Sequence, residues 1–163
     1  MKVVKFGGSS LASATQLEKV FKIVQEDEER KYVIVSAPGK RDAADTKVTD
    51  ALIKYYKQYI NGKDTTKSQE WIINRYRSIT EELGLKETII EDIAKDILSL
   101  ATLPKDDDTF LYDTFLAAGE NNNAKLVAAY FVQKGLDAKY IHPKKAGIFV
   151  TSEPCNARIL PSS

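Results

Sequence analysis

The first candidate for chemistry is a loop near the amino terminus, where a lysine, two adjacent glycines and two hydroxyl side chains follow a short apolar run. We call residues 5–10, which read Lys-Phe-Gly-Gly-Ser-Ser, the glycine loop. Glycine has no Cβ, so the backbone at Gly7 and Gly8 can approach a ligand closely and turn successive N–H groups toward an anion. Lys5 adds a full positive charge beside them. The pattern indicates a loop that binds phosphate, and a tight turn from strand to helix is the structural alternative.

The glycine loop matches neither of two common nucleotide-binding motifs. No Gly-Lys followed by Ser or Thr stands at the Walker A spacing, and the later run Pro38-Gly39-Lys40-Arg41 fails the same pattern. The third glycine of the dinucleotide fingerprint is also missing. The loop therefore indicates phosphate chemistry without specifying the ligand.

Three further polar side chains stand where elements begin or end. Ser36 ends an apolar run, Thr49 opens a helical pattern, and Glu120 follows a glycine within a later helical pattern. Ligands of open α/β sheets bind at the carboxyl ends of strands, so one crevice can contain these residues together with the glycine loop. Each also has a structural explanation. Ser36 can satisfy the backbone at a strand end, Thr49 can cap a helix, and Glu120 can complement the positive end of a helix.

The apolar pattern predicts the elements that position these residues. Strands are predicted at 2–5, 32–36, 139–141 and 148–150 with helices between them, which is typical of βαβ units around a mainly parallel sheet. The first helix is predicted to begin at Thr15, at capping-box spacing from Glu18. The second carries a stripe of core-facing tyrosines and ends at Asn61-Gly62.

A helical insertion is predicted over residues 64–103, where two amphipathic helices occur without a strand signal. The acidic run Asp106-Asp107-Asp108 does not match the EF-hand spacing and predicts a solvated loop with a helix cap, so no metal site is expected. Helical periodicity resumes at Phe110, is predicted to break at Gly119, and continues to Gly135.

Composition narrows the class of protein. With 163 residues, 43% of them hydrophobic, the chain predicts one globular domain with a core of its own. Its 24 basic and 23 acidic side chains leave a net charge of +1, so no overall field recruits nucleic acid. Cys155 and His142 are the single residues of their kinds, which argues against an internal disulfide and a zinc cluster. No apolar run approaches the ~18 residues of a membrane span and no secretory pattern opens the chain, so a cytoplasmic location is expected.

Four segments, in order along the chain, resemble the aspartate kinase family. They are Lys5-Phe6-Gly7-Gly8-Ser9-Ser10, Val33-Ile34-Val35-Ser36-Ala37, Lys47-Val48-Thr49-Asp50 and Ala118-Gly119-Glu120-Asn121-Asn122-Asn123-Ala124-Lys125-Leu126. The tail, with Ala146-Gly147-Ile148-Phe149-Val150-Thr151 and Asn156-Ala157-Arg158, resembles the middle of that family's catalytic domain. The likeness runs from one end of the chain to the other, and four ordered motifs are more specific than any one.

The resemblance implies an α/β fold of three layers, αβα, around a mainly parallel sheet of the amino-acid-kinase type with the helical insertion described above. Residues 1–163 would be the N-terminal, substrate-binding portion of the catalytic domain. The family's nucleotide-binding half and its regulatory ACT domains have no counterpart in this sequence. The resemblance therefore predicts a truncated catalytic domain that is inactive by itself, and a homo-oligomer is expected.

The activity implied by the resemblance is transfer of the γ-phosphoryl group of MgATP to the side-chain carboxylate of L-aspartate. The product is 4-phospho-L-aspartate, on the first step towards lysine, threonine and methionine. ATP is then the cofactor, with Mg²⁺ held through the nucleotide. A carboxylate with a pKa near ~3.9 is already ionised at neutral pH, so this nucleophile needs no general base. It needs in-line positioning and neutralisation of charge on the phosphoryl group.

The resemblance also assigns roles to individual residues. Lys5 is the catalytic cation, and the contacts with ATP phosphate are assigned to Lys5, Gly7, Gly8 and Ser9. The aspartate-binding positions are Ser36, Thr49 and Glu120. Arg41 and Arg158 are available to a substrate carboxylate, but neither matches the arginine of the family.

Two other functions remain open at this point. The same fold serves kinases that phosphorylate glutamate or acetylglutamate, although the motifs around Thr49 and Glu120 favour aspartate. The chain is also compatible with a non-catalytic module for binding or assembly.

Overall fold

Two parallel strands form the sheet of this protein, whose computed structural model describes residues 1–151, 153 and 156–163. β1 (Lys2–Phe6) pairs with β2 (Arg30–Val35) so that Lys5 lies opposite Ile34. Side chains alternate between the two faces of a strand, and one face packs against the helices. The other face is open to solvent and carries Val3, Tyr32 and Ile34, which are 67%, 52% and 50% exposed.

The helix α1 (Ala14–Gln25) connects the two strands and completes a βαβ unit. The Ser13 hydroxyl accepts a hydrogen bond from the Gln16 backbone N–H at 3.4 Å. The predicted start at Thr15 with a Thr15–Glu18 capping box is therefore wrong, because Ser13 already caps the helix two residues earlier.

Three helices follow β2 and contribute many of the buried residues of the core. α2 (Val48–Ile60) ends at Asn61 as predicted, and the two helices expected over residues 64–103 are α3 (Thr66–Glu82) and α4 (Glu87–Ser99). The tyrosine stripe of α2 is in the core, as predicted: Tyr55 is fully buried and meets Phe115 edge to face at 4.9 Å between ring centroids.

The last helix, α5 (Asp108–Gln133), runs without a break through Gly119. Its first turn is capped by Asp107, whose side chain accepts from the Phe110 N–H at 3.0 Å, as the acidic run predicted. The predicted break at Gly119 is wrong. A Cβ there would lie 2.8 Å from the Ala37 Cβ and 3.1 Å from the Leu52 Cδ1, so this glycine permits close packing inside a continuous helix.

The tail does not add strands to the sheet in the described residues. Residues 139–141 form no strand, and residues 148–150 contribute only an isolated antiparallel bridge between Val150 and Ile159. Both predicted strands are therefore wrong. The physical reason is local for the second one, because Phe149 O accepts from Leu160 N at 2.8 Å and Thr151 N donates to Arg158 O at 2.9 Å. Cys155 lies outside the described residues.

None of the helices within the described ranges combines the length and the apolar character that crossing a membrane requires.

Candidate active site

The glycine loop and the loop after β2 touch through two glycines. The Gly39 N–H donates to the Gly8 carbonyl at 2.8 Å. A Cβ on Gly39 would lie 2.5 Å from the Gly8 carbonyl carbon and 2.7 Å from its oxygen, closer than such atoms ever approach. Glycine at position 39 therefore lets the two loops pack backbone against backbone at the carboxyl ends of the parallel strands.

Gly7 has the opposite environment. It is exposed and extended, with φ −79° and ψ 168°, a conformation open to any residue. No atom of the described residues beyond its chain neighbours lies within 4 Å of the place where a Cβ would be. Gly7 immediately precedes a short 3₁₀ turn, Gly8–Leu11, whose first N–H groups have no partner within the turn. The fold itself thus gives no reason for a glycine at position 7.

The chain neighbours of Ser36, Thr49 and Glu120 meet at one packing contact. A Cβ on Gly119 would meet the Ala37 Cβ at 2.8 Å and the Val48 Cγ1 at 3.7 Å. The three contacting residues are the chain neighbours of Glu120, Ser36 and Thr49 respectively. The end of β2, the start of α2 and the middle of α5 therefore meet next to the residues predicted to bind substrate.

The structural explanations for these three residues do not hold. The backbone of Ser36 is satisfied without its hydroxyl, since its N–H donates to Phe6 O at 3.2 Å and its carbonyl accepts from Asn123 Nδ2 at 2.6 Å. Thr49 lies inside the first turn of α2, whose capping position is Lys47, and Glu120 lies in the middle of α5 rather than at its start. Over the described ranges, no hydrogen bond occupies the two hydroxyls or the carboxylate.

The charge of Glu120 acts on a buried phenol next to it. The Tyr76 hydroxyl is fully buried and donates to the Gly119 carbonyl at 2.7 Å. Burial raises the pKa of Tyr76 far above its usual value, and the negative charge of Glu120 raises it further. Tyr76 therefore stays neutral and fixes the backbone immediately before Glu120.

The two arginines considered for a substrate carboxylate have other surroundings. Arg41 is paired with Asp45 through Nε at 2.8 Å and Nη2 at 3.1 Å, while its side chain remains 51% exposed. Its hydrogen bonds hold the pKa of the Asp45 carboxyl well below the usual range. Arg158 is exposed in the tail, where its backbone N–H donates to Thr151 Oγ1 at 3.0 Å.

Sequence reasoning missed a buried arginine beneath the site. Arg75 on α3 is 4% exposed and donates to Asp45, to Ala12 O and to Gly39 O. The available signal was spacing, because Arg75 falls on the apolar stripe of α3 between Ile72 and Ile79. A charged residue on a buried stripe requires partners.

Comparison with known proteins identifies the family of this chain. The model of the amino acid kinase family matches residues 1–161. This chain belongs to the amino acid kinase family. Aspartokinase 3 of Bacillus subtilis is 53% identical over 163 residues, which are 100% of this chain and 36% of that protein. The chain therefore spans about a third of the length of this relative.

Solved structures of two family members superpose on the chain. Aspartate kinase of Clostridium acetobutylicum, with a TM-score of 0.66 and 34% identity, covers 80% of this chain and is itself covered to 29%. Aspartokinase III of E. coli, solved with aspartate and ADP, has a TM-score of 0.72 at 21% identity and covers 96% of this chain, which spans 34% of it. The α/β class with a parallel sheet and the amino-acid-kinase fold are thereby confirmed.

This amino acid kinase chain holds no group of three or more His, Cys, Asp or Glu side chains arranged to bind a metal, as far as its described residues extend.

Proposed function

We propose that this chain is the part of an aspartate kinase that binds L-aspartate and the phosphoryl group transferred from MgATP. The observation that carries the proposal is that Ser36, Thr49 and Glu120 lie next to one packing contact beside the glycine loop, and that their side chains have no hydrogen-bond partner among the described residues. The likeness to B. subtilis aspartokinase 3 supports it, as does the E. coli aspartokinase III structure with aspartate and ADP.

The glycine loop would bind the transferring phosphate. Lys5 is exposed at the end of β1 and would neutralise charge that develops on the phosphoryl group. Gly7 and Gly8 would donate backbone N–H groups to phosphate oxygens, with Ser9 beside them. The empty surroundings of Gly7 support this role, because a glycine that the fold does not need leaves room for a ligand.

The aspartate would lie across the ends of β2, α2 and α5. The hydroxyls of Ser36 and Thr49 would donate to a carboxylate, and Glu120 would bind the ammonium group. The attacking carboxylate is ionised at neutral pH, which makes a general base unnecessary. The product, 4-phospho-L-aspartate, would feed lysine, threonine and methionine synthesis in the cytoplasm.

The rest of the site would come from outside residues 1–163. The chain spans 36% of the B. subtilis relative, and we place the adenine pocket and an arginine for the α-carboxylate in the remainder. Mg²⁺ would arrive with the nucleotide. We expect the working enzyme to be a homo-oligomer.

The test is ATP-dependent formation of an acyl phosphate, trapped with hydroxylamine. It uses this chain by itself and a chimera in which the chain replaces the segment of B. subtilis aspartokinase 3 that it matches. We expect the chimera to turn over L-aspartate and not L-glutamate, and to lose turnover with Lys5→Ala. Absence of aspartate turnover in a folded chimera would reject the activity and favour the binding or assembly module. Turnover with L-glutamate would favour another acceptor.

A further inference from the structure

We propose that Arg75 on α3 is a positioning residue that holds the loops after β1 and β2 together, so that the glycine loop keeps its shape. That the glycine loop binds phosphate rests on the proposed function. The inference that Arg75 fixes the shape of the glycine loop does not rest on the proposed function and can be tested separately.

One buried guanidinium contacts both loops. Its side chain is 2% exposed. Nη2 donates to Ala12 O at 2.9 Å and to Gly39 O at 2.7 Å, while Nη1 donates to Asp45 Oδ2 at 2.9 Å. Ala12 directly follows the 3₁₀ turn of the glycine loop, and Gly39 and Asp45 belong to the loop after β2. Arg75 thus contacts two loops that are far apart in sequence, one after β1 and one after β2, and neither loop adjoins α3.

The contact at Gly39 transmits this restraint to the glycine loop. The Gly39 carbonyl accepts from Arg75, and the Gly39 N–H donates to the Gly8 carbonyl at 2.8 Å. The space between the two glycines is too small for a methyl group. Because the two glycines are hydrogen-bonded and closely packed, we expect a displacement of Gly39 to shift Gly8 and the neighbouring Gly7 amide.

The chemistry of the guanidinium suits this task better than packing does. Ile72 and Ile79 flank Arg75 on the buried stripe of α3, where an apolar side chain would fill space without the cost of burying a charge. Burial and the nearby Arg41 lower the pKa of the Arg75 guanidinium, and Asp45 opposes that shift. An arginine side chain remains charged at neutral pH. The planar guanidinium can donate to three acceptors in fixed directions. The single ammonium group of lysine does not offer that geometry.

Arg75 acts through the backbone and is not a catalytic residue. Its donors bind Asp45 and two loop carbonyls, and the proposed substrate contacts belong to other side chains. Substitution of Arg75 should therefore increase the mobility of the two loops more than that of the core.

The first experiment measures native-state amide hydrogen exchange in the 163-residue chain carrying Arg75→Lys or Arg75→Met. The control is Arg77→Met, on the same helix, whose guanidinium is 3.3 Å from the surface carboxylate of Glu87 and has no other ion pair within the described residues. The reporter is the Gly39 amide, compared with core amides of α5.

We expect Gly39 to exchange at least about tenfold faster relative to those amides in Arg75→Lys, and the control to match the unaltered chain. Equal acceleration of Gly39 and the α5 amides would mean a purely structural role and overturn the proposal, as would no acceleration at Gly39. Arg75→Lys keeps the charge and the stem, so the measurement stands even where Arg75→Met unfolds.

The second experiment places the same variants in the chimera. We expect KM for ATP to rise about tenfold or more in Arg75→Lys, with Arg77→Met unchanged. If the Gly39 amide exchanges faster in Arg75→Lys but KM for ATP is unchanged, the link between Arg75 and phosphate binding is overturned. An unaltered chimera without aspartate turnover would reject the proposed function and leave the exchange result to decide whether Arg75 holds the loops.

Discussion

Two glycines of the candidate site differ in what the fold demands of them. Gly39 packs against the Gly8 backbone with no space for a side chain, whereas Gly7 is exposed, extended and free of contacts from the described residues around its missing Cβ. The same residue type therefore serves packing at one position and, in our account, ligand approach at the other.

A pair of substitutions separates these two uses. Gly39→Ala should lower the free energy of unfolding by about 1–3 kcal/mol, because the added methyl overlaps backbone atoms. Gly7→Ala should change that free energy by less than about 0.5 kcal/mol and still weaken ATP binding in the chimera. Urea unfolding of the chain and KM for ATP of the chimera measure the two effects. Equal destabilisation by both changes would contradict this distinction.

The Asp45 carboxylate lies between the guanidiniums of Arg41 and Arg75. Hydrogen bonds from Arg41 and the charge of Arg75 lower its pKa in the folded chain. Its contribution to stability is therefore present above the unfolded pKa of ~3.9 and is lost as pH falls toward the folded value. Urea unfolding at several pH values between about 5 and 2 should show a steeper loss of stability in the unaltered chain than in Asp45→Asn. Parallel curves would show that Asp45 is not the group that titrates.

At the level of elements, α5 matters because it passes the site without a break. Gly119 costs α5 about 1 kcal/mol of helix propensity relative to alanine, yet a methyl group there would collide with the Ala37 Cβ at 2.8 Å. Overpacking of a buried contact costs about 1–3 kcal/mol, so the collision outweighs the gain.

Gly119→Ala should therefore destabilise the chain and raise KM for aspartate in the chimera, because α5 moves away from the end of β2. The matched control is Ala117→Gly on the exposed side of the same helix, which should cost about 1 kcal/mol through propensity alone and leave KM unchanged. Thermal unfolding and aspartate titration give both numbers. A more stable Gly119→Ala variant would contradict the close contact.

The same elements show what the sequence can and cannot predict. Local periodicity located the strands of the βαβ unit, the end of α2 and the helical insertion, because these depend on neighbouring residues. Gly119 resembled a break because its role is a contact with Ala37, more than 80 residues away in the chain. The strand predicted at 148–150 failed for a different, local reason, since residues 149–151 bond to 158–160 instead of to the sheet. Arg75 was missed because its partners lie on loops that only the tertiary structure brings together.

Considered as a whole molecule, the chain leaves one face of its sheet open. Val3, Tyr32 and Ile34 form an apolar surface there, beside the exposed Lys5. Exposed apolar surface and free strand edges favour association. The isolated chain should therefore self-associate with rising concentration in sedimentation velocity, and Ile34→Lys should weaken that association. A strictly monomeric profile at high concentration would contradict this expectation.

Binding of L-aspartate by Glu120 and its neighbours is tested by KM for aspartate in the chimera carrying Glu120→Gln. Glu91→Gln on α4, also exposed, is the control for loss of one negative charge. We predict that Glu120→Gln raises KM for aspartate by about tenfold or more, since the substrate ammonium loses its charged partner, while KM for ATP stays the same. An unchanged KM for aspartate in Glu120→Gln would show that Glu120 does not bind the substrate ammonium.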